Sequence, residues 1–432
     1  MHAPLKSYIT HNIRCRVMAL LAASLATQSW AGIGVLPLGF GADSNAMAGT
    51  DMAFSTDPLS INNNTAGIAK SKSAQFSTVI EGFAMNGIRH ADSLGNDERS
   101  RNDRALLVSG AWSTPLANHP AITIGLGLFA QGGVGYEYKN LNTAFGNSDD
   151  LTALFGVFRL APAVAWNISD KFRLGFSGSI NYSEAEQEIF PNTSDASSGF
   201  PGLDIKNMSG VSYAWRTGLQ YDINDRLTLG MAYGSDTELV LKDGNAVVNF
   251  DAMGLGRVKY TSAKIDGLSL PSELGIGLAW KITPKLSLGA DLNWYRWSKA
   301  LGKVTTQLSG AQTNGAPDTI IINSDFGGQD QFSSSVGSKY QINDRTQFLA
   351  GVNHVGNVIK HGNESPLNNL IAKWHLSAGL NHELDQHWKT SLIANYVTKL
   401  NRQYTNTQLP LGSVAQETFS TYSIAIGVSY KW

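Results

Sequence analysis

Along much of the chain, apolar and polar residues take turns one by one. Near the end, Tyr422, Ile424, Ile426, Val428, Tyr430 and Trp432 alternate with Thr421, Ser423, Ala425, Gly427, Ser429 and Lys431. Leu286, Leu288, Ala290, Leu292 and Trp294 alternate with Ser287, Gly289, Asp291, Asn293 and Tyr295, and Phe172, Leu174, Phe176, Ile180 and Tyr182 alternate with Arg173, Gly175, Ser177, Ser179 and Asn181. A period of two puts successive side chains on opposite faces of a β-strand. Each strand therefore has one apolar face and one small or polar face.

Six short turn signals punctuate these strands: Thr114-Pro115 with Asn118, Ser169-Asp170, Asn224-Asp225, Thr283-Pro284, Asn343-Asp344 and Asp385-Gln386. Such residues pre-set turn geometry or bond their own backbone. Four of the turns share one format, Ile, a polar residue, Asp or Pro, then Lys or Arg, starting at Ile168, Ile223, Ile282 and Ile342. Between the turns lie longer polar stretches, 89–104, 139–150, 189–207, 299–328 and 359–372, which read as loops. Six short turns join seven hairpins, so the pattern predicts fourteen antiparallel strands with both chain ends on one side. Tight turns at one end and long loops at the other are the asymmetry of an outer-membrane barrel.

A soluble sandwich also alternates, and the tryptophans separate the two cases. Trp112, Trp166, Trp280 and Trp388 lie beside short turns, Trp294, Trp297 and Trp374 beside long loops, and Trp432 ends the chain. Two belts of amphipathic rings at the strand ends are what two membrane interfaces select. Composition agrees. Only 16% of residues are charged, yet the mean hydropathy is −0.13. A barrel needs apolar side chains on one face only, whereas a helical membrane protein would need apolar runs of about 20 residues.

Residues 1–31 read as an export signal. Lys6, Arg14 and Arg16 form a basic start, 17–26 an apolar core, and Ser29-Trp30-Ala31 a cleavage site before Gly32. The single cysteine, Cys15, precedes the apolar core, so the mature chain has no thiol chemistry. Removing the leader leaves 30 basic and 34 acidic residues, which offers no basic face to nucleic acid. Residues 32–73 do not alternate. Ser44 could cap a helix over 44–54, Asp57-Pro58 could start another, and 62–67 is turn-rich. The division expected is leader 1–31, hatch 32–73 and barrel 74–432.

Three stretches carry a family resemblance. Ser44, Ala46-Met47, Gly49, Ala53 and Asp57, followed by Asn64-Thr65-Ala66-Gly67, resemble the hatch of the FadL-type transporters of long-chain fatty acids and aromatic hydrocarbons. Leu270-Pro271-Ser272-Glu273-Leu274-Gly275, with Asp291 and Trp297-Ser298 beyond it, and the strand pair around 375–396 are similar to the same family. Thr65 departs from it, standing where the family has Pro. The resemblance implies a plugged fourteen-strand barrel. Ligand is caught among outer loops, held in an internal apolar pocket, and released sideways at a kink in the third strand. That strand runs here over 121–131, with Gly125 and Gly127 facing inward and Gly132-Gly133 following. Asn64, Thr65, Ala66, Gly125 and Gly127 are thus the candidate hatch and gating residues.

A fatty acid needs an apolar pocket and a cationic donor. Alternation puts Arg159, Arg173, Arg216 and Lys339 on the lumen face. Arg159 lies in the loop-side half of its strand and is the first carboxylate candidate, with Arg216 second. Both could instead serve lumen acids such as Glu273 or Asp291, or the hatch. Leu154, Phe155, Phe190 and Phe200 lie in outer segments and are candidate capture residues. No Gly-x-Ser-x-Gly elbow, His-Glu-x-x-His helix or phosphate loop is present, so neither an enzyme nor a cofactor or metal is expected. The reading is a monomeric, passive outer-membrane transporter of hydrophobic molecules, with long-chain fatty acids first and aromatic hydrocarbons as the alternative. Its expected neighbours are lipid, lipopolysaccharide and the assembly machinery that reads Trp432. A general porin would lack the plug, and an adhesin role stays compatible.

Overall fold

The structure is a computed structural model that describes residues 33–432, so the leader expected over 1–31 lies outside the described residues. Twenty strands follow one another: β1 (Gln75–Ala84), β2 (Arg89–Asp92), β3 (Asp97–Arg99), β4 (Arg104–Leu116), β5 (His119–Asn142), β6 (Ser148–Asn167), β7 (Phe172–Asp195), β8 (Phe200–Asn224), β9 (Leu227–Gly234) and β10 (Thr237–Phe250). Then come β11 (Gly256–Leu270), β12 (Glu273–Lys281), β13 (Leu286–Tyr295), β14 (Lys303–Ala311), β15 (Thr319–Asp325), β16 (Gln331–Asn343), β17 (Thr346–Val355), β18 (Trp374–Glu383), β19 (Trp388–Thr405) and β20 (Val414–Lys431).

Fourteen of them, β1, β4 to β9, β12, β13 and β16 to β20, form a closed antiparallel barrel. The seam is a ten-pair ladder between β1 and β20, from Gln75 opposite Lys431 to Ala84 opposite Tyr422. Closure leaves no unpaired edge in hydrocarbon. Five of the six short turns lie where the sequence places them; at the first, Thr114-Pro115 belong to β4 and the turn falls at Ala117-Asn118. The alternation is read as expected too: Tyr422, Ile424 and Ile426 are exposed on the outer wall, while Thr421, Ser423 and Ala425 are buried inside. Trp112, Trp166, Trp280, Trp374, Trp388 and Trp432 are exposed at the strand ends.

Three local expectations are corrected. The helix near Ser44 runs over Ala42–Ala46, with Gly41 at its N-cap, because the Ser44 hydroxyl donates to Asp51 Oδ2 at 2.5 Å instead of capping. Trp297 is fully buried, its indole nitrogen donating to Gln331 Oε1 at 3.1 Å. Four of the stretches read as loops, 89–104, 139–150, 189–207 and 299–328, contain strand. β7 and β8 run on past the membrane, and β14 and β15 form a hairpin. With β10 and β11 they build an outer sheet in the order β8, β10, β11, β14, β15. Outside the bilayer a strand can carry polar residues on both faces, so the period of two fades there.

The hatch fills the lumen and bonds the wall on several sides. Asp291 Oδ2 accepts from the backbone N–H groups of Asp51 (2.6 Å) and Met52 (2.8 Å). Lys339 and Lys389 both reach Asp43, at 2.6 and 3.2 Å. Asn45 donates to Glu81 at 3.1 Å and Asn353 donates to the Ala48 carbonyl at 3.1 Å. Asp57 caps the short helix Pro58–Asn62 and Asn64 caps Thr65–Lys70. Wall glycines let the hatch backbone approach: a Cβ on Gly175 would lie 2.3 Å from the Ala66 nitrogen, and one on Gly351 2.2 Å from the Met47 carbonyl carbon.

Candidate functional site

An apolar space lies at the loop end of the barrel. It is a cavity of about 190 Å³, enclosed between the outer halves of β5 to β8, the inner face of the outer sheet, the short helix Trp297–Ala300 and the segment around Leu367–Leu370. Leu154 and Phe155 line it, with Ile189, Leu203, Leu241, Leu268, Val304 and Trp297. Its polar lining comes from Glu186, Gln187, Ser269, Thr306, Ser324 and Asn368; among the described residues no Lys, Arg or His lines it.

Phe190 and Phe200 do not line this cavity. They belong to a neighbouring apolar cluster with Tyr136, Tyr138, Leu151 and Ile371, their rings 6.4 Å apart and Phe145 against Phe200 at 5.4 Å. Phe190 sits at a left-handed φ of 45° within the irregular pairing of β7 and β8, which turns its ring away from the cavity.

Both arginines are engaged below the cavity. Arg159 donates to Asn181 (2.8 Å), to Asn62 of the hatch (2.9 Å) and to Thr237 (3.3 Å). Arg216 pairs with Glu273 at 2.5 Å and donates to the Asn63 carbonyl at 3.0 Å. Arg173 is bonded to Asp222. Asn64 donates to the carbonyls of Met52 (2.7 Å) and Leu219 (2.9 Å), and the Thr65 hydroxyl donates to the Ile61 carbonyl at 3.0 Å. Asn64, Thr65 and Ala66 therefore form the footing of the hatch on β7 and β8. Gly125 makes room for Ile61, and Gly127 lies beneath the ring of Phe129.

The barrel wall has a window beside this region. The β4–β5 ladder runs as far as Gly110 opposite Leu128 and stops, although both strands continue. The two sides meet again where Arg101 N–H donates to the Glu137 carbonyl at 2.7 Å. Over this gap the pairing of β5 with β6 slips by one residue between Ala130 and Gly132. The N-terminal turn Ile33–Leu36 covers the slip from inside. Gly133 N–H donates to the Val35 carbonyl at 2.9 Å, and a Cβ on Gly132 would lie 2.8 Å from that oxygen. Val35 also lines the cavity. One residue thus touches both pocket and window.

The profile of the outer membrane protein transport protein family (OMPP1/FadL/TodX) matches residues 22–431. The chain belongs to this family. No curated protein matches it. Among solved structures, the toluene transporter TodX of Pseudomonas putida is 18% identical with a TM-score of 0.75, covering 91% of this chain and 99% of TodX. The toluene transporter TbuX of Ralstonia pickettii gives 18% and 0.74 over the same shares. A FadL homologue of Pseudomonas aeruginosa gives 17% and 0.70, over 92% and 99%. At these identities the likeness shows the fold, a closed fourteen-stranded antiparallel barrel, and membership of the family places it in the outer membrane.

In this family member the outer segments are tied together by a buried polar cluster beside the pocket wall. His90 Nδ1 meets Glu417 Oε1 at 2.6 Å and Nε2 meets Asp92 Oδ2 at 3.1 Å. Tyr404 donates to Glu417 Oε1 at 2.9 Å, and the Asn369 amide donates to Glu417 Oε2 at 3.3 Å. Burial opposes charge on the imidazole, but the bonds to Asp92 and Glu417 outweigh it and push His90 up to about 9. Asn369 adjoins Asn368 and Leu370 of the pocket lining, so the cluster holds one pocket wall in place. The sequence signals no part of this cluster and, of the pocket, only Leu154 and Phe155, since each draws its other residues from distant loops.

Proposed function

We propose that the protein is a passive channel that carries small, uncharged hydrophobic molecules across the outer membrane. They enter the loop-end cavity and leave through the window between β4 and β5. The observation that carries this reading is Val35, which lines the cavity and whose carbonyl holds Gly133 at the window. Displacing the turn Ile33–Leu36 joins the two. Polar lipopolysaccharide resists apolar solutes, so a greasy path through protein speeds them down their gradient. The hatch of residues 32–73 and the barrel of 74–432 work as one monomer in this scheme, and Tyr430 and Trp432 serve the assembly machinery.

The cavity favours a neutral cargo over the fatty acid first expected. A carboxylate there would meet Glu186 and no cation, while Arg159 is spent on Asn62, Asn181 and Thr237. An apolar cavity of about 150 Å³ elsewhere takes up benzene. The space of about 190 Å³ suits a molecule of monoaromatic size. The test is calorimetric titration of the detergent-solubilised protein with toluene and with oleate. Toluene should bind, Leu268→Trp should weaken it at least roughly tenfold by filling the cavity, and Arg159→Gln should leave it unchanged. Tighter binding of oleate that Arg159→Gln abolishes would instead establish the fatty-acid reading.

A further inference from the structure

We infer that the outer lip of the window is a binding site for the phosphates of an outer-leaflet glycolipid, built from Arg89, Arg99, Arg101 and Arg104. All four are exposed, and they lie on β2, β3 and the first residues up to β4. Arg89 and Arg99 stand directly opposite one another in the β2–β3 ladder. Like charges so placed repel and weaken a hairpin unless an anion lies between them. Asp97 bonds Arg89, but Arg104 is 89% exposed with Asp103 3.8 Å away. The patch keeps a surplus of guanidinium donors, the group best matched to phosphate oxygens.

Its height on the barrel identifies the partner. β2 docks on β20 with Arg89 opposite Thr418, four residues beyond Tyr422. Tyr422 is exposed on the outer wall and stacks on Tyr396 at 5.8 Å. Such a ring pair marks the edge of the hydrocarbon. Four strand residues rise about 13 Å, which lifts Arg89 and its partner Arg99 to the charged layer just outside, while Arg104, opposite Ala84 and so level with Tyr422, stands at the lower edge of that layer. They sit on the outer wall rather than over the mouth, so a lipid headgroup reaches them more readily than a solute entering the lumen. Arg101 is also the residue whose N–H closes the top of the window. A phosphorylated glycolipid seated here places its acyl chains across the opening, where apolar cargo would leave. The site depends on the outer-membrane position of the barrel and not on the identity of the cargo.

The test uses full-length protein in neutral detergent, with rough-type lipopolysaccharide, the same lipid stripped of phosphate, and inorganic phosphate as competitor. The wild type should bind the phosphorylated lipid roughly tenfold more tightly than the stripped one. The variant R89Q/R99Q/R101Q/R104Q should lose that difference, and so, in part, should R99Q/R104Q, which keeps the Arg89–Asp97 pair if the fourfold variant does not fold. Folding is read from heat-modifiable gel mobility. Equal binding of stripped lipid, or unchanged binding by the folded variants, overturns the inference. Full competition by millimolar phosphate overturns it as well, because it would make this a site for soluble anions.

Discussion

At the scale of single residues, the interior of this barrel is decided by what has no side chain. Gly175 faces the hatch so closely that a Cβ there would lie 2.3 Å from backbone atoms of Thr65 and Ala66. Backbone cannot swing away as a flexible side chain can, so Gly175→Val must push the hatch footing off β7. Overpacking of this kind costs on the order of 1–3 kcal/mol. The strand itself stays paired on both sides, through β6 and β8. The expected result is a folded barrel whose small-ion conductance in planar bilayers rises. Gly178→Ala is the control: nothing lies within 4 Å of a Cβ at that position, and its conductance should match the wild type. Equal conductance in both variants would show that the hatch tolerates displacement at its footing. Arg159 teaches the same lesson from the opposite direction. Its charge and its place on the lumen face were legible in the sequence, but its partners Asn62, Asn181 and Thr237 come from three other elements, and only their positions show that it holds the hatch.

At the scale of elements, legibility follows the solvent. Where a strand has lipid on one side and lumen on the other, the period of two is strict and the turn at its inner end is short, so the inner part of β7, β13 and the membrane part of β20 could be read residue by residue. Beyond the membrane the constraint lapses, and the β10–β11 and β14–β15 hairpins that wall the pocket are not signalled. Trp297 illustrates the cost: its place beside a long loop suggested the interfacial belt, yet it is folded inward over the N-terminal turn, where a Cβ on Gly34 would meet its indole at 2.6 Å. What fixes these outer elements is polar, and His90 gives it a pH dependence. The imidazole lies between Asp92 and Glu417 with Tyr404 and Asn369 completing the cluster, and its pKa is raised from 6.5 to about 9. A raised basic pKa contributes stability that is complete below about pH 6.5 and is lost as pH climbs through about 9. The shift corresponds to at most about 3 kcal/mol, counted once for the whole cluster. Amide exchange over β2 and the outer end of β20 should therefore quicken between pH 7 and pH 10, beyond the intrinsic rise in exchange rate. His90→Gln should exchange faster at pH 7 and lose the extra pH dependence; a parallel profile in wild type and variant would remove His90 from the latch.

For the whole molecule, the question is whether hatch and barrel are one structure or two. The barrel's fourteen ladders close without any hatch backbone, and no described hatch residue belongs to a stave. The hatch is held instead by side chains pointing inward, among them Glu81, Lys339, Lys389, Asp291 and Asn353. Water can take the hatch's place at these polar groups, while the apolar wall residues that pack on Met47, Leu59, Ile61 and Ile68, among them Val79, Phe129, Leu349 and Ile393, would be wetted. Deleting residues 32–73 after the leader should thus leave a barrel that inserts and keeps its heat-modifiable mobility, while ion conductance rises by an order of magnitude or more, since a ring of fourteen strands is wide enough for an aqueous lumen. Selectivity follows from what the hatch takes with it. Asp43 no longer neutralises Lys339 and Lys389, so the emptied lumen gains positive character near the short-turn end, and Lys339→Gln with Lys389→Gln in the deleted barrel should shift its reversal potential toward cations. Failure of the deleted protein to assemble would mean that hatch and wall fold as a single cooperative unit, and release through the window would then require more than the withdrawal of one short turn.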